Sequence, residues 1–177
     1  MDVSNSKISG VLTMKMNKHV DERGFFARNF CAQTLENYKA FSNVSQGNLS
    51  FNLNKGTIRG FHYQIGGKEE AKTVTVLNGA VHYKIIDLRK NSPTYLQHES
   101  FDLFALDIVI QVPKGCAPAF QTLEDNTLLH YYMSNPYDKD LEKGIRYSDP
   151  YFDLKWPLEP TVISLRDLNF QDFNPTY

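Results

Sequence analysis

The sequence predicts an all-β chain, a sandwich or barrel built of antiparallel strands, and three observations predict it. Short runs rich in Val, Ile, Thr, Tyr and Phe recur at 58–64, 72–77, 80–87, 108–112 and 127–133, each bounded by Gly-, Asn- or Pro-containing breaks. Two of these runs alternate apolar and polar residues and flank an Asn-Gly pair. Helical spacing is confined to one short stretch, so nothing competes with the strand rhythm.

In chain order, 31–40 reads as a helix, with Ala32, Leu35 and Tyr38 about one turn apart. The run 58–64 reads as one strand in which Gly60, His62 and Gln64 share a face and Arg59, Phe61 and Tyr63 the other, with Gly60 a candidate bulge that could redirect Arg59. In "KTVTVLNGAVHYKIIDL" the Asn78-Gly79 pair predicts a tight hairpin turn joining 72–77 to 80–87. Pro113-Lys114-Gly115 predicts a turn after 108–112, and Trp156-Pro157 a wedge that ends the main body. The tail beyond Pro160 is apolar enough to dock back, and "SLRDLNF" predicts a short turn there. No linker or repeat interrupts the 177 residues, so one domain over 1–177 is expected, long enough to bury well over half of its unfolded surface.

Composition excludes several classes of partner. The formal charge is −1 and the basic residues are scattered, which argues against a nucleic-acid or anionic-membrane surface. The opening "MDVSNSKISGVLTMKM" has no continuous apolar segment, and nowhere do apolar residues run long enough to span a bilayer. A cytoplasmic location follows as the expectation, and the sequons at Asn43 and Asn48 then carry no glycosylation message. Cys31 and Cys116 are too few for a disulfide framework and read as reduced thiols in or near the core.

The candidate site starts from "RGFHYQ". A histidine aimed into a strand-built core must be hydrogen-bonded or carry a desolvation cost of about 1 to 3 kcal/mol. Taken alone, His62 reads as a structural histidine satisfied by its neighbours. Lys72, which shares a strand face with Val74 and Val76, reads equally as a solvated edge lysine, and Tyr131, between Leu129 and Met133, as a core tyrosine. Converging in a barrel mouth, however, the three supply a base near neutral pH, a cation for a developing oxyanion and a weak acid that returns a proton. That combination suits proton abstraction next to a carbonyl. A metal centre is the competing reading; yet among His19, His62, His82, His98 and His130 there is no His-x-His pair, so no metal and no cofactor is expected.

In order along nearly the whole chain, "DERGFF" (21–26), "QGNLS" (46–50), "GTIRGFHYQ" (56–64), "AKTV" (71–74), "DLRKNSPTY" (87–95), "VPKGCAPAF" (112–120), "NPYDKDLEKGI" (135–145), "YSDPYFDLKWP" (147–157) and "SLRD" (164–167) resemble the dTDP-4-dehydrorhamnose 3,5-epimerase family. The resemblance implies a metal-independent, homodimeric, cupin-like antiparallel β-barrel of the jelly-roll type. It also implies a nucleotide-sugar substrate, a dTDP-linked 4-keto-6-deoxyhexose deprotonated beside its C4 ketone and reprotonated from the opposite face at C3, C5 or both. By residue, it implies that His62 is the base, Asp167 the carboxylate behind it, Tyr131 the proton donor and Lys72 the partner of the ketone oxygen. Arg59 and Arg23 match positions that meet the diphosphate, a task suited to guanidinium forks. Phe26, Gln46, Asn48 and Tyr137 match positions lining the nucleotide and sugar cleft.

Four positions depart from the family pattern. Pro118 stands where a second pocket histidine is usual, Tyr83 where an aspartate is usual, Arg28 where a glutamate is usual and Tyr132 where a lysine is usual. The first two remove polar groups from the expected pocket. The alternatives they leave open are an epimerase of one centre only, a 3,4-ketoisomerase using the same enolate, and a sugar-nucleotide-binding relative without turnover.

Overall fold

The computed structural model describes residues 1–175. Four short strands open the chain, β1 (Asp2–Asn5), β2 (Leu12–Lys15), β3 (His19–Asp21) and β4 (Gly24–Phe26), followed by helix α1 (Ala32–Asn37). Then come β5 (Gln46–Asn52), β6 (Thr57–Gly60), β7 (His62–Gln64), β8 (Lys72–Asn78), β9 (Ala80–Asp87), β10 (His98–Phe104), β11 (Ile108–Val112), β12 (Cys116–Thr122) and β13 (Thr127–Met133). Strands β14 (Glu142–Gly144) and β15 (Val162–Ile163) and the short helix α2 (Leu165–Leu168) complete the order.

The all-β prediction holds. One sheet has the strand order β1-β2-β11-β8-β13-β5 and a second the order β10-β9-β12-β6-β15, while β3-β4 and β14-β7 form separate ribbons. Neighbours are antiparallel except β15, which lies parallel to β6 and ties the tail back to the body. The two large sheets face each other in jelly-roll fashion. Val74, Val76, Ile110 and Leu129 of one pack against Val81, Ile85 and Leu103 of the other, all fully buried. Each such side chain contributes about 1.5 to 3 kcal/mol through burial. Among the described residues no helix is long and apolar enough to cross a membrane.

Three local expectations need correction. Strands β8 and β9 begin and end close to the predicted bounds, but they are not a hairpin: β8 pairs with β11 and β13, β9 with β10 and β12. Asn78-Gly79 is the corner where the chain crosses between sheets. A type I′ turn needs positive φ at both residues, and here only Gly79 has it, at +78°. A Cβ on Gly79 would stand 2.4 Å from the Thr127 hydroxyl oxygen, so the glycine also admits β13 to the corner.

The run 58–64 is likewise not one strand. It breaks at Phe61 into β6, which belongs to the large sheet, and β7, which pairs with β14. Gly60 has φ +112° and its missing Cβ would lie 2.7 Å from the Ala119 backbone, a geometry and a closeness that only glycine permits. Because of this break Arg59 and His62 both turn to the space between the sheets, while Phe61 is fully buried beside Trp156. The predicted helix 31–40 is shorter, Ala32–Asn37, because its cap residue Cys31 makes no side-chain capping bond and Lys39 turns to φ +55°.

Candidate functional site

Strand register builds the site. Across the first sheet Asn48 lies opposite Tyr131 and Tyr131 opposite Val74, while Gln46 lies opposite Met133 and Met133 opposite Lys72. Opposed residues project to the same face, so this places Tyr131 and Lys72 on adjacent strands of one inner surface. Across the second sheet Arg59 lies opposite Phe120 and Phe120 opposite Tyr83. Between these rows is a cavity of about 380 Å³ reached by Arg59, His62, Lys72, Tyr83, Pro118 and Tyr131, with Val74, Ala119, Phe120 and Leu129 as its apolar lining.

His62 enters from β7 and is held by the tail. Its Nε2 is 2.8 Å from Asp167 Oδ1, and Asp167 Oδ2 accepts the Gly60 backbone N–H at 3.2 Å. Asp167 is in position because Ser164 caps α2, its hydroxyl accepting the Asp167 N–H at 3.0 Å. Burial acts to raise the Asp167 carboxyl, but its bond to His62, the electrostatic attraction of that ring, and the Gly60 and Ser164 bonds together hold it below its ordinary range. An ionised acceptor at Nε2 fixes the ring proton there and leaves the lone pair on Nδ1. The Phe170 ring packs edge-on against the imidazole with centroids 5.9 Å apart, where only the absence of a side chain on Gly144 makes room for it.

Lys72 is equally constrained. Its ammonium pairs with buried Glu70 at 2.9 Å and donates to the His62 carbonyl at 3.1 Å. Two of its three protons are therefore engaged and one is left for a ligand oxygen. Burial raises the Tyr131 phenol above its usual range, partly countered by the nearby Arg59 charge, and keeps it protonated at neutral pH. Burial also raises the Tyr83 hydroxyl strongly. Arg59 donates from Nε to Asn52 Oδ1 at 2.7 Å and from Nη2 to the Phe51 carbonyl at 3.5 Å, which holds its guanidinium beside β5.

The structure thus gathers His62, Asp167, Lys72, Tyr131 and Arg59. Gln46, Asn48 and Tyr137 form a rim beside them: Gln46 donates to Asn48 Oδ1 at 2.8 Å and accepts the Tyr137 backbone N–H at 2.9 Å. Two expected residues are not brought in. Arg23 and Phe26 sit on the β3–β4 ribbon, which is separate from both large sheets, and neither lines the cavity. Among the described residues Arg23 pairs only with Asp21, and its side chain is 83% exposed. Phe26 is 72% exposed. Of the departing positions, Tyr83 and Pro118 face the cavity, whereas Tyr132 packs against Phe30 and His130 outside it and Arg28 is exposed.

Residues that sequence reasoning missed complete the surroundings. Glu142 Oε1 lies 3.7 Å from His62 Nδ1, and its Oε2 accepts from Tyr137 at 2.5 Å and from Arg166. Glu70 could have been found, since two-residue periodicity puts it on the face of Lys72. Glu142 could not, because its approach depends on the pairing of β14 with β7. Among the described residues no cluster of three or more His, Cys, Asp and Glu side chains is arranged to hold a metal ion. An imidazole backed by a carboxylate, an ammonium with a free proton and a protonated phenol around one small cavity can take a proton from carbon, hold an oxyanion and return a proton.

Comparison with known proteins gives the same direction. The family model described as dTDP-4-dehydrorhamnose 3,5-epimerase matches residues 5–175. A dTDP-4-dehydrorhamnose 3,5-epimerase of Shigella flexneri is 32% identical over 180 residues, covering 98% of this chain and 96% of its own. The crystal structure of the Bacillus anthracis dTDP-4-dehydrorhamnose 3,5-epimerase with TDP and PPi bound superposes with a TM-score of 0.93 at 30% identity, covering 97% of this chain and 99% of its own. A 3'-monoepimerase from Streptomyces bikiniensis in complex with dTDP-quinovose gives a TM-score of 0.87 at 27% identity, covering 94% and 85%.

Proposed function

We propose that this chain, which belongs to the dTDP-4-dehydrorhamnose 3,5-epimerase family, inverts carbon centres beside the C4 ketone of a dTDP-linked 4-keto-6-deoxyhexose. The observation that carries the reading is the convergence of the His62–Asp167 pair, Lys72 and Tyr131 on one cavity. His62 Nδ1 removes the proton at C3 or C5. The Asp167 carboxylate stabilises the imidazolium that forms, as a buried carboxylate does behind a catalytic histidine in hydrolases. Charge then moves to the C4 oxygen, where the third Lys72 proton meets it; a preorganised donor of this kind is worth about 3 to 4 kcal/mol of barrier. Tyr131 delivers a proton to the opposite face, and the configuration is inverted.

Arg59 at the mouth holds the diphosphate, and Gln46, Asn48 and Tyr137 line the way to it. The protein acts as a homodimer. Leu49 and Phe51 are large apolar side chains exposed along β5, an edge strand, Leu53 is exposed just beyond its end, and Val20, Phe25 and Phe26 are exposed on the β3–β4 ribbon, which supports a covered face. Arg23 and Phe26, remote from their own cavity, then serve that of the second copy. One domain over 1–177 carries these functions, its last two residues lying outside the described ones. Free thiols at Cys31 and Cys116 suit the cytoplasm.

A single-centre epimerase is the second reading, favoured by Tyr83 and Pro118, which line the cavity where the family usually has an aspartate and a histidine. Incubation with a dTDP-4-keto-6-deoxyhexose in D₂O, followed by NMR, tests both. Deuterium at C3 and C5 supports double inversion, and deuterium at one carbon supports the second reading. No exchange at either carbon would falsify the epimerase assignment, and a 3-keto product would replace it with ketoisomerase chemistry.

A further inference from the structure

Each inversion leaves the protein out of balance. One proton has moved from the sugar carbon to His62 Nδ1 and another from Tyr131 to the opposite face, so an imidazolium and a phenolate remain. Both must be reset before a second carbon or a second substrate is processed. Asp167 cannot take the surplus proton, since its two oxygens already serve His62 Nε2 and the Gly60 N–H. Glu142 is placed to do so. Its side chain is only 6% exposed, Tyr137 and Arg166 anchor its Oε2, and among the described residues no hydrogen bond reaches its Oε1, which lies 3.7 Å from Nδ1.

That separation has a physical meaning. A resting imidazole with its proton on Nε2 has nothing to donate from Nδ1, so 3.7 Å is a contact in waiting rather than a hydrogen bond. Once Nδ1 is protonated, opposite charges draw together and a charge-assisted bond forms. Register fixes the approach: Gly144 lies opposite His62 in the β14–β7 ribbon and Glu142 is two residues away on the same face. The same carboxylate bears on the acid partner, since after burial its charge helps to keep the Tyr131 phenol protonated.

We propose that Glu142 resets the base: Oε1 takes the proton from His62 Nδ1 and passes it to water at the cavity mouth, while water returns one to the Tyr131 phenolate. No proton is gained or lost over the cycle, and no co-reactant beyond water is needed. The proposal extends the epimerase reading and rests on it.

The test uses the full chain and a dTDP-4-keto-6-deoxyhexose deuterated at C3 and C5, in ordinary water, with NMR of both recovered substrate and product. In the wild type, enolates that revert return as unlabelled substrate. In Glu142→Gln the deuteron stays on His62 and goes back to its carbon, so label loss from substrate per product formed falls by about tenfold or more. The turnover rate falls with it, and Glu142→Asp recovers part of the loss. An unchanged ratio in Glu142→Gln overturns the relay. Should that variant not fold, Glu142→Ala takes its place: with no carboxylate beside Nδ1 the ratio falls there too, and an unchanged ratio overturns the proposal. A wild type that exchanges no label refutes the epimerase reading itself, which keeps the two failures apart.

Discussion

Asp167→Asn isolates the interaction on which the base depends. The replacement keeps the size of the side chain but offers one oxygen where two are used, at 2.8 Å from His62 Nε2 and 3.2 Å from the Gly60 nitrogen. The amide therefore satisfies one partner and opposes the other. The larger loss is charge. With an effective dielectric of about 20, a unit negative charge about 4 Å from the imidazolium contributes about 4 kcal/mol. A neutral amide retains some of this through its dipole, so about 3 kcal/mol of transition-state stabilisation is lost. At about 1.4 kcal/mol per factor of ten, kcat falls by roughly 10²- to 10³-fold. Asp167 is behind the histidine and touches no ligand, so affinity for dTDP, measured by calorimetry, stays within about twofold. The rate is read as deuterium incorporation at C3 and C5 in D₂O. A folded Asp167→Asn protein that exchanges within about threefold of the wild-type rate would refute the assignment of His62 as a carboxylate-backed base.

Three further outcomes are expected. Tyr131→Phe removes the proton donor but not the base, so NMR in D₂O shows substrate taking up deuterium with retained configuration while inverted product falls by roughly 10²- to 10³-fold; equal losses of exchange and inversion would count against Tyr131. Gly60→Ala places a Cβ 2.7 Å from the Ala119 backbone at φ +112°, costing about 3 kcal/mol and lowering Tm by about 6 to 12 °C in a calorimetric scan. Asp87 is fully buried, and although burial itself acts to raise its carboxyl, Arg89, Ser92 and Thr94 bring it down to about 2 from 3.8. A depressed carboxyl stabilises the fold above its unfolded value, so this contribution of about 2 kcal/mol is complete above about pH 4 and disappears as pH falls towards 2. In urea titrations the stability gap between wild type and Asp87→Asn narrows over that interval.

Much of this was legible one residue at a time. Strand bounds at 108–112 and 127–133 followed from local composition, because runs of β-branched and aromatic residues closed off by turn residues favour strands. Strand β5 escaped the same reasoning for a related cause. Its more buried residues, Gln46, Asn48, Ser50 and Asn52, are polar, while its apolar Leu49 and Phe51 are exposed at the border of the cavity, which inverts the signal. The hairpin expected at Asn78-Gly79 shows the opposite error. The dipeptide marks a chain reversal but does not specify the strand's hydrogen-bonding partner, and here the two runs entered different sheets.

The sequence by itself determined the β class, the residue types able to run enolate chemistry and, through many ordered matches, the family. What only the tertiary structure decided was proximity. Asp167 meets His62 across 105 positions of chain because a parallel strand and a serine-capped turn carry the tail back to β6. Glu142 reaches the same ring through a ribbon register, while Arg23 and Phe26, adjacent to nothing in their own cavity, are left for another surface. Local pattern reports which face of an element is buried. Which faces meet depends on sheet pairing between distant segments, a property of the whole packed chain.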